Sequence, residues 1–464
     1  MITRPIRSHL TTAMLAGSLC VATAHSAEIG PDGDLRAAIA ALEAGETLEL
    51  LDGEYVFTSA FRVTAVGTEE APVVIRAKAG HSPLLNMDTP AQNVMEVRDS
   101  RYLEVRGLRL TGGSHGVRLM NSDYVTIADC EIFETGDVAI SANSGGTYTG
   151  LKILRNHIYH TNGTGEGMYL GCNNDECRVE QSLIEGNYVH HTNRDTVEQG
   201  DGIELKEGSS GNIIRHNVVH DTNYPNILVY GTAGNGPANI IEGNVLWNTD
   251  AWNLQAAADA VIRNNVILGD VGIQPHQSSV PANIEFVHNT VLFQETPLWV
   301  RGVVGPITIA NNALYAQSGA AVRLVSGDLS LVTLSGNMGT GGVSGGSGGF
   351  TSTNGIDSDL VDASFGQPPM DVFPAPDSAL IGAGNPALAA AVDFNETPRE
   401  GSATVGAYHY AAGGNPGAPV GPGIKTLPAP PEEPPEEPEE PEPSGEATTE
   451  TVLMILQGTD DSEG

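Results

Sequence analysis

The sequence predicts an all-β protein built as a single right-handed parallel β-helix, with an N-terminal capping helix and a disordered, acidic, proline-rich tail. Three observations lead there. One eight-residue pattern recurs along the chain, as VTIADCEI, LKILRNHI, SLIEGNYV, NIIRHNVV, NIIEGNVL, AVIRNNVI, IEFVHNTV and ITIANNAL. Aligning the copies places Cys130, Asn156, Asn187, Asn217, Asn244, Asn265, Asn289 and Asn312 in one column, at separations of 21 to 31 residues. Each step is too short for a βαβ unit but fits one coil of short strands. Finally, 56 glycines and only 5% aromatic residues suit a turn-rich solenoid better than a compact globule.

Taken in order, residues 1–27 read as a secretory signal. Arg4 and Arg7 precede an apolar stretch, and small residues stand around Ala24 and Ala27. A secreted, periplasmic or extracellular location follows. Residues 28–410 form the β-helix domain. Within it, DLRAAIAALE at 34–43 has apolar residues at helical spacing, and a helix there would cover the open strand edge of the first coil. After about Ala316 the repeat weakens, and the Gly- and Ser-rich stretch 339–349 reads as a flexible loop. Residues 411–464 form the tail, because APPEEPPEEPEEPEPSGE has too few apolar side chains to pack.

The Asn column needs a physical reason, since its neighbours face inward and are apolar. Stacked at the strand spacing of roughly 4.8 Å, each amide can pair with the Asn above and below, so the column reads as a structural ladder. Two residues before it, Glu185, Arg215, Glu242 and Arg263 alternate in sign, as cross-strand ion pairs do. Four residues past it stand His160, His191, Asp221 and Asn248, followed by Thr161, Thr192, Thr222 and Thr249. These could hold a metal but are more simply stacked polar turns. Cys172 and Cys177 are spaced to close a small loop by a disulfide; free thiols are the alternative, and Cys130 is left over.

A formal net charge of −35, with 22 Lys and Arg, excludes a basic nucleic-acid-binding face. Nothing past the N-terminus is long and apolar enough to span a bilayer. A monomer is expected.

DLRAAIAALEAGETLELLDGEYVF resembles the N-terminal cap and first strands of polysaccharide lyases of the chondroitinase B and alginate lyase type. DFNETPREGSATVGAYHY is similar to the closing segment of secreted bacterial β-helix proteins. The resemblance implies a β-helix acting on polysaccharide, with acidic calcium ligands, a Lys base and an Arg on a following coil. Glu204 and Lys206 match in residue type, but a second acid before Lys206 is lacking at the family's spacing. Arg215 is a counterpart by type only. Gly272-Ile273-Gln274-Pro275-His276 resembles the catalytic segment of mannuronan epimerases, with Gln274 where Asp should stand.

The residues also point to a site without the family. Seven segments, from HGVRLM to PLWVR, occupy equivalent positions in their coils and present two outward columns. One runs Arg118, Ala139, Tyr169, Glu204, Leu228, Gln274, Trp299; the other Met120, Ser141, Gly171, Lys206, Tyr230, His276, Arg301. Aromatics beside cations suit an acidic-glycan groove. Lys206, Tyr230 and His276 are the catalytic candidates, Arg118, Tyr169, Trp299 and Arg301 the substrate-binding ones, and Glu204 the calcium ligand. His276 and Arg301 are expected several coils from Lys206, against neighbouring sugars. Two readings stay open: a lyase or C5-epimerase acting on uronate-containing polysaccharide, and a non-catalytic glycan-binding or surface β-helix. A hydrolase would need two facing carboxylates, and Glu204 with Asp201 or Glu198 makes no convincing pair.

Overall fold

The computed structural model describes residues 26–423, apart from 400–402, 412, 414, 416 and 422. The expected signal lies almost wholly outside the described residues, as does the expected tail from 424 onward.

The chain winds into a parallel β-solenoid with three long sheets. Among the described residues, two sheets contain 13 strands and one contains 12, and in each of them every strand pairs with its counterpart one coil away. We call these sheet A, from Ser26–Ile29 to Val332–Ser335; sheet B, from Glu54–Phe57 to Phe350–Ser352; and sheet C, from Arg62–Val63 to Val343–Ser344. Alternation along each strand fixes what points inward: in Leu103–Arg106, Leu103 and Val105 are buried while Glu104 and Arg106 face out. Identical positions then stack from coil to coil, so that Ile153, Ile184, Ile214, Ile241 and Ile262 form one inner row of sheet A. Each such side chain contributes about 1.5–3 kcal/mol of burial, and β-branched residues suit the pleated surface they sit on.

The corners carry the polar stacks. Between sheets A and B, Asn156, Asn187, Asn217, Asn244, Asn265, Asn289 and Asn312 are buried. Each side-chain amide donates to the Oδ1 of the next, Asn187 to Asn217 at 2.9 Å and Asn217 to Asn244 at 3.0 Å. The same Oδ1 accepts the backbone N–H of the preceding Asn. Cys130 begins the column by donating its backbone N–H to Asn156, and Asn337 extends it past the expected end. A second stack, Asn212 over Asn239, lines the corner between sheets C and A. The alternating charges pair as expected, Arg215 with Glu185 and Arg263 with Glu242, both at 2.7 Å. Thr192 and Thr222 are buried and donate across their turns to backbone carbonyls.

Two expectations are corrected. The stretch 339–349 is not wholly loop: Asn337–Thr340 and Val343–Ser344 join sheets B and C, while 345–349 connects onward without strand, and the glycines between the two strands adopt the left-handed conformations that the turn requires. The outward columns are also shifted by two residues in two coils. Strand register places Ser141, not Ala139, between Arg118 and Tyr169, and Gly272, not Gln274, between Gln255 and Trp299. Bends of unequal length precede these strands, so counting from the repeat loses the register there.

A short helix, Leu35–Ala40, follows the first strand and buries Leu35 and Ile39 in the core. Its start is set by Asp34, whose carboxylate accepts the Ala37 N–H at 3.0 Å. Beyond the last coil, the chain packs across the outer face of sheet B, where Phe373, Phe394 and Tyr408 meet Val245, Trp247 and Tyr315. Asn415 and Val420 are buried in this layer, beyond position 411. Arg399 anchors it, donating to the carbonyls of Thr404, Gly406 and Ala407 and to Oδ1 of Asn264. Cys172 and Cys177 form a disulfide, and Cys130 is buried as a free thiol. No helix of the described residues is long and apolar enough to cross a membrane.

Candidate active site

A cleft of about 720 Å³ lies along the outer face of sheet C. Its floor comes from two adjacent coils with the same local plan. Glu166-Gly167-Met168-Tyr169-Leu170 and Asp201-Gly202-Ile203-Glu204-Leu205 each run acid, glycine, inward apolar, outward residue, inward apolar. The glycines let the coils close onto one another. A Cβ on Gly202 would stand 2.3 Å from Val219 and 2.5 Å from the Asn226 carbonyl. The acids before them are thereby carried to the bend, level with each other, while Tyr169 and Glu204 stand side by side on the strands.

Glu166, Asp201 and Glu204 offer carboxylate oxygens that all lie within 4.8 Å of one another. They are 0%, 1% and 2% exposed. Burying three like charges disfavours ionisation. Glu166 is pushed up to about 7, by burial first and then by its acidic neighbours. Asp201 is raised well above the carboxylate range by burial, Glu204 and Glu166. Glu204 is raised by burial, with Lys206 opposing. One oxygen of each, Oε1 of Glu166, Oδ1 of Asp201 and Oε2 of Glu204, is buried without a hydrogen-bond partner. Orphaned acceptors of this kind cost about 1–3 kcal/mol each unless something fills the space between them. A set of hard oxygen donors fits a calcium ion.

Lys206 closes the cluster on the other side. Its ammonium donates to Oε1 of Glu204 and, at 3.2 Å, to the Tyr230 hydroxyl. It also lies over the rings of Tyr169 at 4.5 Å and Tyr230 at 4.9 Å. Burial works against its charge, but Glu204 more than compensates and Lys206 is raised. Tyr230 is likewise pushed well above the phenol range, by burial and then Glu204, so it keeps its proton.

The expectation that His276 lies several coils away is corrected. Past the strand Val271–Ile273, a tight turn pairs His276 with Ser279 and folds back over the preceding coils. Ser279 accepts the Gly231 N–H, and Ser278 donates to Glu207. His276 thereby meets Tyr230 edge-on at 4.8 Å and reaches Gln255 through Nδ1 at 3.1 Å. Burial, and then Lys206, lower its proton affinity.

The structure therefore brings Lys206, Tyr230, Tyr169, Glu204 and His276 into one cleft. Arg118, Trp299 and Arg301 are not part of its lining. Arg118 donates to Ser144 at 3.1 Å, and Trp299 and Arg301 stand further along the same sheet. Glu166 was missed in the sequence, and Asp201 was considered only for a hydrolytic pair. The repeated acid-Gly-x-outward plan was the available signal.

Residues 86–219 match the family model described as a right handed beta helix region. A 123-residue stretch, 23% of this chain, is 28% identical to pectate lyase PEL9 of Emericella nidulans; it spans 30% of that protein. Among solved structures, pectate lyase Pel9A superposes with a TM-score of 0.52 at 16% identity, covering 84% of this chain and 98% of that one. The complex of XylC with xylose gives a TM-score of 0.53 at 9% identity, covering 85% and 100%. These likenesses define the class: a right-handed parallel β-helix repeat protein, similar to polysaccharide lyases.

Proposed function

We propose that the chain is a secreted lyase acting by β-elimination on a uronate-containing polysaccharide. The observation that carries this reading is the juxtaposition of three buried carboxylates, each with an unpartnered oxygen, and the Lys206–Tyr230 pair in one cleft. The similarity to a pectate lyase and the disulfide, which suits an oxidising compartment, support it.

Glu166, Asp201 and Glu204 would hold a calcium ion, which when bound neutralises the substrate carboxylate and so makes the adjacent C5 proton removable. Lys206 would be the base once its ammonium has given a proton to solvent, which a cation balancing Glu204 in its place makes easier: the neutral Nζ takes the C5 proton, the C–H electron pair becomes the C4–C5 double bond, and the bond from C4 to the glycosidic oxygen breaks. Tyr230, which keeps its proton, donates to the departing oxygen. Tyr169 and His276 flank the sugar and hold its ring against the sheet. A C5-epimerase shares the first step but returns a proton to C5, so the product separates the two.

Purified protein incubated with polygalacturonate, alginate or glycosaminoglycans, with added calcium, should release an unsaturated product that absorbs in the ultraviolet. Binding without any change to the polymer would favour a non-catalytic glycan-binding β-helix instead.

A further inference from the structure

Beyond the cleft, sheet C carries a second group of side chains with a different chemistry. Trp299 stands four coils past Glu204 in the same outward column, the intervening positions being Leu228, Gln255 and Gly272, and Arg323 follows one coil later. At the strand spacing this is roughly 19 Å from Glu204 to Trp299. The Arg301 guanidinium lies 5.1 Å from the Trp299 ring and 5.6 Å from that of Trp252, and Arg323 lies over Trp299 at 4.6 Å. Trp252 in turn lies against Gly272, where a Cβ would come within 2.9 Å of the indole.

These cations differ from most others in the molecule. In a chain of net charge −35, arginines have carboxylates in reach, as Arg215 has Glu185 and Arg263 has Glu242. Among the described residues, Arg301 and Arg323 make no such pair, and Nε of Arg301 is buried without a hydrogen-bond partner. The indoles hold the guanidiniums by cation–π contact, which leaves the N–H groups free for an anion. Neutral glycan needs no such arrangement. Two unpaired arginines on the face that carries the cleft match an acidic polymer laid along the solenoid axis.

We infer that Arg301 and Arg323, positioned by Trp252 and Trp299, form a distal subsite for the carboxylates of a polyuronate chain whose other sugars occupy the cleft. The inference rests on the uronate reading of the cleft and adds to it a preference for long chains. A trimer seated at Lys206 does not reach the arginines; a polymer does.

The test uses the full chain carrying Lys206→Ala, so that ligand is bound but not consumed, with calcium present. Affinities for polygalacturonate, for alginate and for their trimers are measured with and without Arg301→Gln and Arg323→Gln, singly and together. Arg323 is exposed, so its variant tests the subsite with little risk to folding. Arg263→Gln, on sheet A, controls for net charge. The expected result is a loss of polymer affinity of about tenfold or more in the double variant, with trimer affinity and the control unchanged. Unchanged polymer binding in the double variant would overturn the distal subsite while leaving the reading of the cleft intact. An equal loss for trimer and polymer would also overturn it, by placing the effect at the cleft. If the parent binds neither polyuronate, the uronate reading itself fails, and this inference with it.

Discussion

The Tyr230 hydroxyl stands 3.1 Å from Oε1 of Glu204, one coil away, and both groups also meet the Lys206 ammonium. This triangle exists because a parallel solenoid sets residues from different coils at strand spacing. It makes Tyr230 a shared partner of acid and base.

Removing the Tyr230 hydroxyl should therefore slow turnover without dismantling the site. For Tyr230→Phe we expect a kcat loss of about 10²–10⁴-fold, the range for a positioned proton donor, with KM little changed. Lys206→Ala should lose at least as much. The loss in Tyr230→Phe should shrink for substrates whose leaving oxygen is more acidic. Wild-type rates in Tyr230→Phe would remove it from proton transfer.

Stability should depend on pH through Glu166. Its proton affinity is raised from the ordinary 4.5 to about 7 in the folded chain, chiefly by burial. Between those values the folded protein holds a proton that the unfolded chain releases. The stabilising contribution is therefore fully present below about 4.5 and is lost as pH rises through about 7. In calcium-free buffer, Tm should fall across this window, and Glu166→Gln should flatten the fall. Added calcium should raise Tm more at pH 8 than at pH 5, because protons compete for the same oxygens. Equal slopes in wild type and variant would place the titration elsewhere.

The Asn ladder predicts a stability effect remote from the cleft. Asn217→Leu removes the acceptor for both the backbone N–H and the side-chain amide of Asn187, and the donor to Asn244. The cost should be roughly 1–3 kcal/mol, seen as a lower denaturant midpoint. A midpoint equal to wild type would mean that the ladder rearranges around the gap.

Much of the architecture was legible in the residues themselves. The repeat VTIADCEI to ITIANNAL specifies a coil length, and Asn156 to Asn312 at one corner specify that the coils stack in register, because a buried amide must find hydrogen-bond partners and the Asn one coil away supplies them. The ion pairs of Glu185 with Arg215 and of Glu242 with Arg263 follow from the same counting. Glu204 and Tyr169 sit on strands, and Lys206 and Tyr230 directly follow theirs, so all four could be placed together where position is periodic.

Only the tertiary structure decided what the bends and turns bring to them. Glu166 and Asp201 reach Glu204 from the bend before the strand, and His276 returns to Tyr230 by a turn that reverses the chain. The turn has no period to count, and the acids, though they repeat from one coil to the next, lie in bends outside the strand alternation that marks the outward columns. The closing segment is the same case, since Arg399 meets Asn264 across 135 residues. Strand registry repeats and so can be read from the sequence, whereas loop geometry is set by the contacts each loop finds once the coils beneath it have stacked.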